Sequence, residues 1–117
     1  MSINKVILLG YTGKDPEVKD VAGTKVANLS LATTEKGYTL QNGIQVPDRT
    51  EWHSLIFWKG LAEVVEKYVR KGSQIYIEGK IKTRQYEDRT GSKRYVTEIF
   101  VDKLELLGSR LARQEAS

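Results

Sequence analysis

A chain of 117 residues fits one domain with one modest core. Its 39% hydrophobic and 29% charged content is ordinary for a globular protein, and no apolar run nears the roughly 18 residues of a membrane-crossing helix. Without cysteine, and with His53 as the only histidine, the chain excludes disulfides, thiolate zinc sites and multi-histidine metal sites, so no metal or other cofactor is expected.

The net charge of +4 is unevenly spread: residues 67–94 hold nine Lys/Arg against three Asp/Glu, a local +6, so the rest of the chain sums to −2. Such a concentration fits a polyanionic partner, although a solvated basic face has the same composition. The start, Met-Ser-Ile-Asn-Lys, lacks the charged region and apolar middle of a secretory signal, so a cytoplasmic, nucleoid-associated protein is expected.

Glycine and proline punctuate five extended runs and one helix. The first run, residues 5–9, ends at Gly10-Tyr11-Thr12-Gly13, and Asp15-Pro16 marks a turn before Val18. In residues 25–34, Ala27, Leu29 and Leu31 alternate with Asn28, Ser30 and Ala32, the pattern of a half-buried strand. Residues 35–48 are polar and carry Gly37, Asn42-Gly43 and Pro47, which predicts an exposed hairpin or long loop. A third run, residues 50–58, is aromatic and aliphatic.

Between Gly60 and Gly72 the period becomes helical, with Leu61, Val64, Val65, Tyr68 and Val69 on one side and Glu63, Glu66, Lys67 and Lys71 opposite. Alternation then returns: Ile75, Ile77 and Ile81 share one face, and Tyr76, Glu78, Lys80, Lys82, Arg84 and Tyr86 the other, with Gly79 predicting a bend or bulge. Residues 87–92 form a turn, and residues 93–107 read as the last strand. A helix after the third of five strands is the order of an OB-fold, a five-stranded Greek-key barrel, so the fold class is all-β with one short helix.

Single-stranded nucleic acid requires flat apolar surfaces for unstacked bases and a cation near each phosphate. The fourth run offers both on one face, with Lys80, Lys82 and Arg84 followed by Tyr86 at period two. On the third run Trp52, Ser54, Ile56 and Trp58 share a face, and two indoles exceed what so small a core needs. Core packing is the simpler account of Phe57, Tyr68 and Phe100, whereas Trp52, Trp58 and Tyr86, each next to charge or a turn, are candidate stacking rings. Tyr11, Tyr38 and Tyr76 fit either role.

The segments Asn4-Lys5-Val6-Ile7-Leu8, Gly13-Lys14-Asp15-Pro16-Glu17-Val18, Ala27-Asn28-Leu29-Ser30-Leu31-Ala32-Thr33, Thr50-Glu51-Trp52-His53, Leu61-Ala62-Glu63-Val64 and Tyr68-Val69-Arg70-Lys71-Gly72-Ser73-Gln74-Ile75-Tyr76-Ile77-Glu78-Gly79 resemble the bacterial single-stranded DNA-binding protein family, in order, over most of the chain. The resemblance implies a homotetramer of OB-folds around which single-stranded DNA wraps. It places Trp52, Trp58 and Tyr86 at base-stacking positions, Lys71, Lys82 and Arg84 at backbone-contacting positions, and His53 at a subunit interface. Near Gly37 the family commonly carries a tryptophan; the nearest ring here is Tyr38, one residue along. Members usually end in an acidic, hydrophobic tip that recruits other enzymes, whereas this sequence ends Arg110-Leu111-Ala112-Arg113-Gln114-Glu115-Ala116-Ser117, so recruitment is not expected of it. The expected organisation is one DNA-binding domain, residues 1–108, and a short disordered extension, residues 109–117.

No enzyme is expected. Glu87-Asp88 point apart in a turn, and Gly10-Tyr11-Thr12-Gly13-Lys14 lacks the Gly-Lys-Ser/Thr ending and following helix of a phosphate loop. An RNA-binding or primosome-type OB protein shares the rings and cations, while a purely structural oligomerisation module would bury both tryptophans.

Overall fold

The computed structural model describes residues 1–108; the expected extension, residues 109–117, lies outside the described residues. In chain order the elements are β1 (Val6–Thr12), β2 (Glu17–Val21), β3 (Thr24–Glu35), β4 (Tyr38–Thr39), β5 (Gln45–Val46), β6 (Arg49–Trp58), α1 (Gly60–Tyr68), β7 (Gln74–Glu87) and β8 (Lys93–Leu107). The five expected runs are β1, β3, β6, β7 and β8. β2 went unforeseen because Glu17-Val18-Lys19-Asp20-Val21 carries no apolar alternation; it forms because Ala22 and Gly23, both at positive φ (51° and 82°), fold it back tightly onto β3.

The long strands pair in a ring. β1 pairs antiparallel with β7, β7 with β8, β8 parallel with β6 at Leu55–Ile99 and Ile56–Phe100, β6 antiparallel with β3, and β3 returns to β1 at Tyr11–Ala32 and Thr12–Leu31. This is the strand order of the expected OB-fold. Inward-facing Leu29, Leu31, Leu55, Phe57, Ile75 and Ile77 fill the interior with Ala62, Val65 and Val69 from the α1 segment, which packs on β3 and β6. Truncating a fully buried ring such as Phe57 to alanine would cost about 3–5 kcal/mol of stability.

Tyr68 departs from the expected core stripe: α1 buries Ala62, Val65 and the adjoining Val69, and Tyr68 is 42% exposed. The helix end is instead clipped to the barrel by Thr12. Its buried hydroxyl donates to the Arg70 carbonyl at 2.5 Å and accepts from the Ser73 N–H at 3.0 Å.

The irregularity foreseen at Gly79 is a β-bulge. Glu78 pairs with Lys103 but Gly79 with Val101, so Asp102 of β8 is left over. A Cβ on Gly79 would collide with the Phe100 carbonyl, which explains the glycine. Beyond Gly79, β7 and the first part of β8 run out as a two-stranded arm. Ile81 keeps the parity of Ile75 and Ile77 but is exposed there, against the expectation from alternation alone. Residues 35–48 form the hairpin allowed by the sequence, with β4 and β5 joined across the Leu40 and Ile44 backbones. The Gly37 N–H donates to Asp48 Oδ1 at 2.7 Å across its base.

Candidate nucleic-acid interface

Strand parity and pairing bring one set of side chains to a common outer face. On β6 the inward Leu55 and Phe57 leave Trp52, Ser54, Ile56 and Trp58 pointing outward. Across the parallel junction Ile56 pairs with Phe100, and Phe100 in turn with Lys80 of β7. The next outward rungs of the arm are Lys82–Glu98, Arg84–Val96 and Tyr86–Arg94.

The rings are accessible. Trp52 is 61% exposed, Trp58 40% and Tyr86 44%. Six residues at about 3.3 Å each separate the indoles by roughly 20 Å along one strand. Trp52 lies against Gly13, where an added Cβ would fall 2.6 Å from Cη2 of the indole. Trp58 neighbours Phe100, with ring centroids 6.4 Å apart and planes inclined by 32°.

Two of the arm cations sit beside rings. Lys82 Nζ is 4.6 Å from the Phe100 centroid, and the Arg84 guanidinium 5.9 Å from the Tyr86 centroid. The Arg84 Nε–H also donates to Glu98 Oε1 at 2.8 Å; that hydrogen bond, then the Glu98 charge, raises the guanidinium pKa above its ordinary value. Lys80 is exposed on the same face. Phe100, expected in the core, is instead half-buried on this outer face. The parity of Ile99 and Val101, both inward, is the sequence signal that could have placed it. Arg94 was likewise missed as a rung partner of Tyr86.

Lys71 stands apart from the arm. It follows α1, and its backbone N–H donates to Asp15 Oδ1 at 2.8 Å, in the loop whose Gly13 underlies Trp52. Tyr38 is 60% exposed on the β4–β5 hairpin, away from the strand rungs. His53 points the other way from Trp52; half-buried, its Nε2 is 2.8 Å from Thr33 Oγ1. Tyr11 and Tyr76 belong to another surface, where Tyr11 is exposed with Ile7 and Leu9 and Tyr76 donates to Glu78 Oε2 at 2.6 Å.

At the arm tip Asp88 accepts from the N–H groups of Thr90 and Ser92, the Thr90 hydroxyl and Arg94 Nε. The Thr90 hydroxyl, then Arg94, hold its pKa down to about 2. Its carboxylate is thus a turn brace, not half of an acid–base pair. Among the described residues no three His, Asp or Glu side chains gather as a metal site, and no helix is long and apolar enough to cross a membrane.

The Single-strand binding protein family profile matches residues 3–107. The chain belongs to this family. It is 55% identical to the single-stranded DNA-binding protein of Bacteroides thetaiotaomicron, across 99% of this chain and 73% of that protein. Its fold matches the Plasmodium falciparum SSB in complex with single-stranded DNA with a TM-score of 0.81 at 31% identity, covering 92% of this chain and 97% of that one. Family membership covers the whole described barrel and accords with the resemblance expected from the sequence.

Proposed function

We propose that this chain captures single-stranded DNA without sequence preference and protects it during replication, recombination and repair, the roles typical of the single-strand binding protein family. It acts as a binder and not as an enzyme. The observation that carries the reading is the shared outer face: Trp52, Trp58 and Tyr86 are open to a base, and Lys80, Lys82 and Arg84 stand on the same side to meet phosphates. Lys71 would extend the cationic track beyond Trp52, and Tyr38 would meet the strand from the hairpin. Residues 1–108 would form the binding domain, with residues 109–117 an extension to it, in a cytoplasmic, nucleoid-associated protein.

A homotetramer, typical of the family, completes the reading, with His53 at a subunit interface. Supporting assembly, Ile7, Leu9 and Tyr11 line an exposed apolar stripe on β1, which among the described residues pairs with β3 at Tyr11 and Thr12 and so offers an edge unpaired on that side along Val6 to Leu9.

Titration with oligo(dT), following tryptophan emission and sedimentation together, tests the reading. Emission is expected to fall on saturation of a tetrameric species. Unchanged emission with no co-sedimenting DNA would overturn it, and preferential capture of an RNA oligomer of equal length would reassign the ligand.

A further inference from the structure

Glu98 is the anomaly of the outer face. It is a carboxylate on a surface that otherwise presents rings and cations to a polyanion, and its side chain is only 8% exposed. Among the described residues the hydrogen bond to that carboxylate comes from Arg84 Nε, whose own side chain remains 60% exposed. A negative charge there repels phosphate, so electrostatics alone makes Glu98 a defect.

The geometry suggests a different role. A guanidinium has five N–H donors in a planar fork. Tying down the Nε–H leaves the terminal N–H groups available while removing rotamer freedom that an exposed arginine would otherwise lose on binding. The same tether keeps the guanidinium near Tyr86, 5.9 Å from the ring centroid, on the next outward position of β7. Lys82 has no such tether in the described residues; its ammonium rests on the Phe100 ring.

We infer that Glu98 is a positioning residue for single-stranded DNA: it holds Arg84 beside Tyr86 so that a nucleotide stacked on that ring finds its phosphate facing an already oriented cation. This rests on the proposed DNA-binding reading of the face. The carboxylate does not touch DNA; it acts through Arg84, so its removal should weaken binding even though it deletes a charge of the repelling sign.

A double-mutant cycle on the full-length protein tests this, with oligo(dT) affinity read by tryptophan emission and folding checked by thermal melting. Glu98→Leu is expected to weaken binding roughly three- to tenfold in the native background and not at all in an Arg84→Ala background, the coupling expected of directly contacting residues. Glu98→Gln, which keeps a weaker acceptor, is expected to fall between wild type and Glu98→Leu; it carries the test if the leucine variant melts early. Glu98→Gln binding more tightly than wild type would reduce Glu98 to a repelling charge and overturn the inference. So would equal losses with and without Arg84, the mark of a general effect on folding. Wild-type affinity in Arg84→Ala would also overturn it, while the proposed function would stand as long as Trp52→Ala still lost binding.

Discussion

Gly13 and Trp52 are in direct contact although 39 positions separate them in sequence: the bare Cα of the glycine, in the loop after β1, underlies the indole carried by β6. The outer rim of the indole is thereby seated against main chain while 61% of the residue stays open to solvent, which fixes the surface a base would stack on. Gly13→Ala would drive a methyl group into the ring. The expected outcome is an oligo(dT) affinity lowered roughly three- to tenfold, part of the about 1–3 kcal/mol general for a stacked base in such proteins, with a shifted emission maximum. Unchanged affinity and emission would mean that the indole moves aside freely.

Trp52→Ala and Trp58→Ala should each weaken binding by about 1–3 kcal/mol, roughly five- to 150-fold. Tyr68→Ala should leave affinity unaltered. Although Tyr68 is as exposed as Trp58, it lies on α1 and not on the outer strand face. Phe100→Ala should affect binding too, by removing the neighbour of Trp58 and the ring beneath Lys82. Equal losses in all four variants would argue for a common effect on folding.

Salt should separate the cations from the rings. For single strands log K falls with log salt by about 0.7 per phosphate neutralised. Lys82→Ala and Arg84→Ala should therefore each flatten that slope by about 0.7, while Trp58→Ala lowers affinity at every salt concentration and leaves the slope as it was. A flattened slope in Trp58→Ala would mean that the ring serves to place a cation.

Acid should loosen the arm tip. The Asp88 pKa lies near 2, below its ordinary 3.8, so its stabilising contribution is complete above the ordinary value and disappears as pH drops through about 2. The protection factors of the Thr90 and Ser92 amides, taken against the intrinsic exchange rate at each pH, should fall over that interval, whereas in Asp88→Asn they should be low at pH 5 already. Slow exchange in the asparagine variant would assign the turn's order to its backbone alone.

Much of this could be read from residue order. Period-two alternation located β3 and β7, aromatic and aliphatic content located β6, the helical period located α1, and Trp52, Trp58, Lys80, Lys82, Arg84 and Tyr86 stand exposed on one face as strand parity required. What escaped depended on tertiary pairing. Alternation tells which side chains share a side of a strand, but not where the barrel ends, hence Ile81. The helical period admits Tyr68 to the apolar stripe of α1, but the side of the helix that packs on the barrel is narrower and leaves Tyr68 outside. Hydrophobicity alone sends Phe100 to the core; the parity of Ile99 and Val101 sends it outward, and its rung with Lys80 and junction with Ile56 show that parity wins.

The leftover Asp102 has a consequence for the whole of β8. Before it, odd-numbered Ile99 and Val101 face the interior; after it, even-numbered Leu104 and Leu106 do. A strictly regular strand would have to swallow Lys103 and Glu105 or else turn Phe100 and Glu98 away from the arginine and lysine they accompany. One surplus residue thus lets a single continuous ribbon change sides midway, serving the fold with one half and the ligand with the other. Deleting it would set those two duties against each other.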